Sequence, residues 1–180
     1  MIRLPRHFVA FDLETTGLKP PGSRIIEIGA VKVLDGNITD TWQRMVNPGC
    51  RIPPVITDLT GITDAMVRDA LPVEMVLPAF LDFVGDLPLV AHNIRFDMSF
   101  IAHDARCMGL TVPNEQIDTV PLARRCFPSL PNHKLGTVAR HLGVLGDAEH
   151  RGLEDATVVA RILLHALGAR IGTGGTHAHP

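Results

Sequence analysis

The chain has 180 residues, of which 46% are hydrophobic and 20% are charged, and its formal net charge at pH 7 is −2. This length and composition suit a single compact domain with a substantial apolar core. No apolar stretch reaches the roughly 20 residues that span a bilayer, and no signal-peptide core opens the chain, so we expect a soluble, cytoplasmic protein without a membrane partner.

The three cysteines show no pattern of a disulfide framework or a structural zinc site. Cys50, Cys107 and Cys126 are odd in number, widely spaced and without a paired CxxC motif. We therefore expect reduced cysteines. The small net charge supplies no broad basic field for nucleic acid, but most of the 17 basic residues are arginines, which suit phosphate contacts.

The first third of the chain predicts three strands. The apolar run over residues 7–15 is followed by the loop "GLKPPGS", and then by "RIIEIGAVKVL" at 24–34, which is rich in β-branched residues. The "DGN" sequence at 35–37 is typical of a tight turn into a third strand over 38–48. The second and third strands should therefore form an antiparallel hairpin.

Helices and short strands alternate in the rest of the chain. The expected elements are a helix over 73–84, a strand over 88–92, a helix over 94–108, and helices within 133–143 and 153–167. Asn93 should cap the helix at 94, and Gly109 should end it. The order predicts an α/β fold with a mixed central sheet flanked by helices. We expect one domain over residues 1–172 and a flexible tail over 173–180.

Acidic side chains stand at the ends of these elements. Asp12 and Glu14 share one face of the first strand, because alternate residues of a strand point the same way. Asp97 falls in the first turn of a helix, and Asp155 falls in the opening turns of another, shortly after His150. Taken alone, the pair Asp12 and Glu14 is better explained as a solvated strand end than as a functional site, and Asp155 as a solvated helix start. For Asp97, a favourable charge at a helix start explains the residue as well as a functional role does.

The four carboxylates taken together predict a metal site. Carboxylate oxygens suit Mg²⁺ or Mn²⁺, whereas zinc would call for more histidine or cysteine. Two such ions, roughly 3.5–4 Å apart, would neutralise the cluster and stabilise a phosphorus-centred transition state. The positive partners of the repelling pair Asp12 and Glu14 should therefore be metal ions.

Three segments in order, "FDLETTG", "AHNIRFD" and "HRGLEDA", resemble the DEDDh 3′–5′ exonuclease family, which includes the epsilon subunit of bacterial DNA polymerase III, ribonuclease T and oligoribonuclease. The segments "LTGIT", "IDTVPLAR" and "LPNHKLGTVARHLGV" resemble it too, and the likeness covers roughly residues 7–168. The resemblance implies a ribonuclease H-like fold and hydrolysis of terminal phosphodiesters to nucleoside 5′-monophosphates.

The same resemblance implies a role for each acidic residue. Asp12 should bridge two metal ions, Glu14 and Asp155 should hold the ion that binds the attacking water, and Asp97 should support the second ion. His150 should act as the general base, which suits an imidazole with an ordinary pKa near 6.5.

The family pattern also implies where the terminal nucleotide binds. The implied contact residues are Thr15, Thr16, Leu18, Thr60, Ile62 and Phe96. Aromatic stacking on a base tolerates any sequence, although core packing explains Phe96 nearly as well. For His92 and His133, structural hydrogen bonding is the better interpretation.

The expected partners are 3′ ends of nucleic acid, with DNA favoured and RNA possible. The alternatives are an RNA-trimming exonuclease and a non-catalytic module that binds nucleic acid or a polymerase. Polymerase-bound epsilon subunits continue well beyond the nuclease domain, so stable attachment of this chain to a polymerase is expected to be doubtful.

Overall fold

A computed structural model describes residues 4–144 and 151–168. Five strands form one sheet in the order β3-β2-β1-β4-β5. The strands are β1 (Phe8–Thr15), β2 (Ile25–Leu34), β3 (Asn37–Met45), β4 (Leu89–Ala91) and β5 (Gln116–Asp118). The helices of the described part are α1 (Pro54–Thr60), α2 (Asp64–Val67), α3 (Val73–Val84), α4 (Ile94–Cys107), α5 (Thr119–Cys126), α6 (Leu135–His141) and α7 (Gly152–Ala166).

The sheet is mixed, as the sequence predicts. β1, β2 and β3 pair antiparallel, whereas β4 pairs parallel with β1 and β5 pairs parallel with β4. The predicted hairpin turn is confirmed: Asp35 and Gly36 both have positive φ, 51° and 82°. This conformation matches the twist of the flanking strands, and Gly adopts it without steric cost.

The two faces of β1 pack against different helices. Phe8 and Ala10 belong to a core shared with α5, α6 and α7, whereas Val9 and Phe11 belong to a core shared with α3 and α4. Because side chains alternate along a strand, Asp12 and Glu14 continue the face that begins with Phe8 and Ala10. The fold therefore directs both carboxylates toward the α7 side of the sheet.

The start of α4 differs from the prediction in how it is capped. Asn93 does occupy the N-cap position, but its backbone is left-handed, with φ 69°, and its side chain makes no capping hydrogen bond. Its N–H instead donates to Asp118 Oδ1 at 3.0 Å, which ties the helix start to the end of β5. Beyond the other end of the helix, Gly109 has the left-handed backbone expected of a stop, with φ 69°.

The sequence interpretation missed four short elements, α1, α2, β5 and α5. α1 and α2 span 7 and 4 residues, too few for an apolar period to repeat.

Cys50, Cys107 and Cys126 are free thiols, as expected. None of the described helices has the length and apolar character needed to cross a membrane. The tail over 173–180 lies outside the described residues, and the predicted domain boundary stays a prediction.

Candidate active site

Three of the predicted acidic residues meet in one cluster. Asp12 and Glu14 come from the end of β1, and Asp155 comes from the first turn of α7. One carboxylate oxygen from each residue lies within 4.8 Å of those of the other two. The spacing of these oxygens is that of ligands around a divalent cation, and oxygen donors suit Mg²⁺ and Mn²⁺.

Asp97 joins this site from the opposite helical layer. Its carboxylate is only 2% exposed and accepts a hydrogen bond from the Leu13 backbone N–H at 3.2 Å. The pairing of β4 with β1 ends at Ala10. Asp97 therefore accepts the hydrogen bond of a β1 backbone N–H, that of Leu13, which lies beyond the residues paired with β4. Asp97 is not among the three clustered residues, but its charge helps to raise the pKa of Asp12.

Burial and mutual repulsion raise the pKa values of these acids. The pKa of Glu14 is raised to about 8, mainly by burial and then by the charges of Asp155 and Glu27. Burial, followed by Asp97 and Asp155, raises the pKa of Asp12 well above its ordinary value. Burial also raises the pKa of Asp97 to about 8. A bound divalent cation would favour the charged forms and offset these shifts.

Glu27 is a fifth carboxylate, which the sequence interpretation missed. It lies on β2 directly opposite Glu14, and it is fully buried. Its Oε1 accepts hydrogen bonds from Arg151 Nη2 at 3.0 Å and from Gln43 Nε2 at 2.9 Å. Its Oε2 accepts from the Gly152 N–H at 2.9 Å and from Arg151 Nε at 3.3 Å. The sequence does contain a signal for a buried, functionally placed charge here, because Glu27 is the one charged residue within the apolar run "IIEIGAV".

A groove of about 360 Å³ adjoins the acidic cluster. Of the predicted contact residues, Thr15, Thr16, Leu18, Thr60 and Phe96 line it, together with Glu14. The prediction for Ile62 is wrong for its side chain, which is fully buried and packs with Ile26, Ile52 and Val67. The lining also includes α1 residues that were not predicted, namely Val55, Ile56 and Leu59, and the adjoining Pro53.

The two threonines shape the turn beside the groove. Thr15 Oγ1 donates to the Gly17 carbonyl at 2.7 Å, and Thr16 Oγ1 accepts from the Arg24 N–H at 2.9 Å. This turn leaves Leu18 80% exposed at the groove. Phe96 lines the groove and also packs on Phe100, with ring centroids 5.3 Å apart, so its packing role is present and its stacking on a base stays a prediction.

The remaining histidine predictions have separate outcomes. His92 contacts Thr119 Oγ1 at 2.9 Å and the His133 carbonyl at 2.7 Å, and His133 contacts the Phe127 carbonyl at 3.0 Å. Both are structural, as predicted. His150 lies outside the described residues, so its role stays a prediction.

The mixed sheet and the acidic cluster at the end of its central strand define a nuclease of the ribonuclease H-like class. The sequence matches the Exonuclease (RNase_T) family over residues 9–163, and the chain belongs to that family. The predicted resemblance to DEDDh exonucleases and the predicted ribonuclease H-like fold are thereby confirmed, as is the family-level enzyme class, a 3′–5′ exonuclease.

Several relatives are far longer than this chain. It is 47% identical to the PolC-type DNA polymerase III of Clostridium perfringens over 87% of its own length but 11% of the polymerase. It is 42% identical to a putative bifunctional exonuclease/endonuclease protein of Mycobacterium tuberculosis, over 96% of this chain and 28% of that protein. Since the PolC-type relatives are polymerases, the length of this chain carries no argument against attachment to a polymerase.

Solved structures agree on the fold. A complex of Exonuclease X with 5′ overhanging duplex DNA superposes with a TM-score of 0.73 at 29% identity, covering 92% of this chain and 94% of that one. The nuclease domain of 3′hExo, a DEDDh family member bound to rAMP, superposes with a TM-score of 0.74 at 23% identity, covering 91% and 92%.

The raised pKa values predict how the stability of the metal-free protein depends on pH. The native pKa of Glu14, about 8, exceeds its ordinary value of 4.5, so the native state binds more protons between these values. The contribution of Glu14 to the free energy of unfolding is therefore greatest below about pH 4.5. It falls by about 3–5 kcal/mol in total as the pH rises from there through 8. Glu14→Gln should reduce this loss when unfolding is measured in EDTA from pH 5 to 9.

Added Mn²⁺ should oppose the same trend in the wild-type protein, because the cation holds the carboxylates in their charged form. The matched control is Asp82→Asn, which removes an exposed carboxylate of α3 and should leave the pH dependence unchanged. Identical pH dependence in wild type and Glu14→Gln would contradict the electrostatic account of the cluster.

Proposed function

We propose that the chain hydrolyses the 3′-terminal phosphodiester of DNA, most readily at single-stranded or frayed ends, and releases nucleoside 5′-monophosphates. The observation that carries the proposal is the meeting of Asp12, Glu14 and Asp155 oxygens within 4.8 Å of one another, beside an apolar groove. A cation site next to a surface suited to a nucleoside is the arrangement that a metal-dependent exonuclease needs.

The carboxylates support the binding of two Mg²⁺ or Mn²⁺ ions. Asp12, Glu14 and Asp155 would hold one ion, and Asp97 together with Asp12 would support the second. When bound, the ions would supply charge stabilisation for the attacking and leaving oxygens of the phosphodiester. The hydrogen bond from the Leu13 N–H holds the Asp97 carboxylate in place.

The groove supports binding of the terminal nucleoside without selection for one base. Its lining is largely apolar, and the Thr15 and Thr16 hydroxyls already bond to the backbone of their own turn. Phe96 and the exposed Leu18 offer surfaces on which any base can stack or pack. A base would thus be held by its faces, which suits removal of any nucleotide.

The relatives support DNA rather than RNA as the substrate of this chain. The PolC-type relatives are DNA polymerases, and the structural relative at 29% identity is a complex with duplex DNA. An exoribonuclease is the second candidate, and it is supported by the fold of 3′hExo bound to rAMP. Attachment to a polymerase, in cis or in trans, remains compatible with the same site.

The first test is digestion of a 5′-labelled single-stranded oligonucleotide with Mg²⁺, with Mn²⁺ and with EDTA. Wild-type protein should shorten the strand from its 3′ end in either metal and not in EDTA. Asp12→Asn should lower the rate by about 10²-fold or more, because it removes charge where the transition state is stabilised. Asp82→Asn is the matched control and should digest normally. No shortening in either metal would favour a non-catalytic binding module, and preference for an RNA strand would favour the exoribonuclease.

The proposed general base His150 has its own test. Under metal-saturated, single-turnover conditions, the rate should climb between pH 6 and pH 8 as the imidazole loses its proton. His150→Gln should be slower and should lack this rise, whereas His103→Gln, which alters a histidine of α4, should keep it. A wild-type profile that is flat over this range would remove His150 from the role.

The groove can be tested by a substitution at its exposed rim. Leu18→Ser should raise KM for single-stranded DNA about 5-fold, the equivalent of ~1 kcal/mol of lost apolar contact, with little change in kcat. Leu71→Ser is the matched control, since Leu71 is also largely exposed, at 57%, but does not line the groove. Equal KM values for the two variants would contradict nucleoside binding at Leu18.

A further inference from the structure

Glu27 is placed where a carboxylate is electrostatically unfavourable. It is fully buried on β2 and lies directly across the strand pair from Glu14, a member of the acidic cluster. Like charges directly opposite each other destabilise a sheet, and a buried charge requires compensation. A side chain at this position therefore needs a specific role that outweighs the repulsion.

The hydrogen bonds of Glu27 distinguish it from the clustered carboxylates. Both of its oxygens accept hydrogen bonds from the segment that begins α7, through the Arg151 guanidinium and the Gly152 N–H. Gly152 is the first residue of α7, and Arg151 at the N-cap makes no side-chain capping bond of its own. Glu27 thus supplies from β2 the acceptor and the negative charge that a helix N-terminus favours.

The close contact between Gly29 of β2 and Gly152 leaves the start of α7 little freedom to shift. A Cβ atom on Gly29 would lie 2.0 Å from the Gly152 carbonyl carbon, and a Cβ on Gly152 would lie 2.9 Å from the Gly29 nitrogen. The backbone of α7 therefore rests directly on β2, two residues from Glu27. Asp155 follows within the same first turn, so the position of its carboxylate depends on how this turn is seated.

We propose that Glu27 is a positioning residue, which seats the first turn of α7 through Arg151 and the Gly152 N–H so that Asp155 reaches Asp12 and Glu14. The inference rests on the proposed function, since it assumes that these three residues bind a divalent cation. Glu27 itself does not bind the cation, because both of its oxygens are occupied by protein donors.

Arg151 provides the decisive variant, because positioning and simple charge effects predict opposite results. Removal of a positive charge near a cation site should strengthen cation binding if only Coulomb forces matter. If Arg151 instead seats α7 on Glu27, Arg151→Met should weaken Mn²⁺ binding about 10–100-fold, the usual effect of losing a partner that orients a metal ligand. Mn²⁺ affinity is measured by calorimetric titration of the metal-free protein.

Three further variants complete the experiment. Glu27→Gln should also weaken Mn²⁺ binding, and Arg151→Lys should recover part of the affinity lost in Arg151→Met. Glu154→Gln is the matched control: it removes an exposed charge from the same turn and should bind nearly as wild type does. If Glu27→Gln does not fold, Arg151→Met still decides the matter, because the Arg151 side chain is 31% exposed.

The possible failures are distinguishable. If wild type binds Mn²⁺ and Arg151→Met binds it equally well or more tightly, the positioning role is overturned and the metal site stands. If wild-type protein does not bind Mn²⁺ at all, the proposed function is overturned, and the positioning role with it.

Discussion

The burial of several carboxylates, together with their mutual repulsion, is the constraint on which the arrangement of this protein depends. The pKa of Glu14 is raised to about 8, and this single shift corresponds to about 3–5 kcal/mol of unfavourable free energy when the side chain is charged. α7 opposes this by burying large apolar side chains, namely Val158, Val159, Ile162, Leu163 and Leu164. Their burial contributes on the order of 10 kcal/mol, so packing can hold Asp155 against the other acids.

The parts of the fold that sequence could predict are those with a repeating pattern. The helix over Val73–Val84 was predicted at the observed residues from its apolar spacing, and the start of the helix at Ile94 was predicted from Asn93, which does occupy the N-cap position. Strand alternation was enough to place Asp12 and Glu14 on one face. Their convergence with Asp155 was predictable for a related reason, since strand ends and helix starts meet at one edge of an α/β sheet.

The parts that could not be predicted depend on tertiary contacts. α1 supplies Val55 and Leu59 to the groove, but its 7 residues begin at a proline pair and show no full period. Ile62 was assigned to the groove from its place in a motif, which does not reveal the direction of a side chain, and it points into a separate small core. The pairing of Glu27 with Arg151 joins residues 124 positions apart, so neither local sequence indicates the other.

Glu14 and Glu27 show how the same residue type, in the same strand pair, can have two different counter-charges. Glu27 is neutralised by Arg151 and is held by protein donors on both oxygens, so its charge is balanced before any ion binds. Glu14 lies opposite and has a pKa raised to about 8, which indicates that the protein itself does not balance its charge. Arg151 therefore pairs directly with Glu27, whereas its charge lowers the pKa of Glu14 less than burial and the neighbouring acids raise it. Because β1 and the first turn of α7 already bring Asp12, Glu14 and Asp155 together, a cation at the proposed site would neutralise these carboxylates without first having to assemble them, as a preorganised site does.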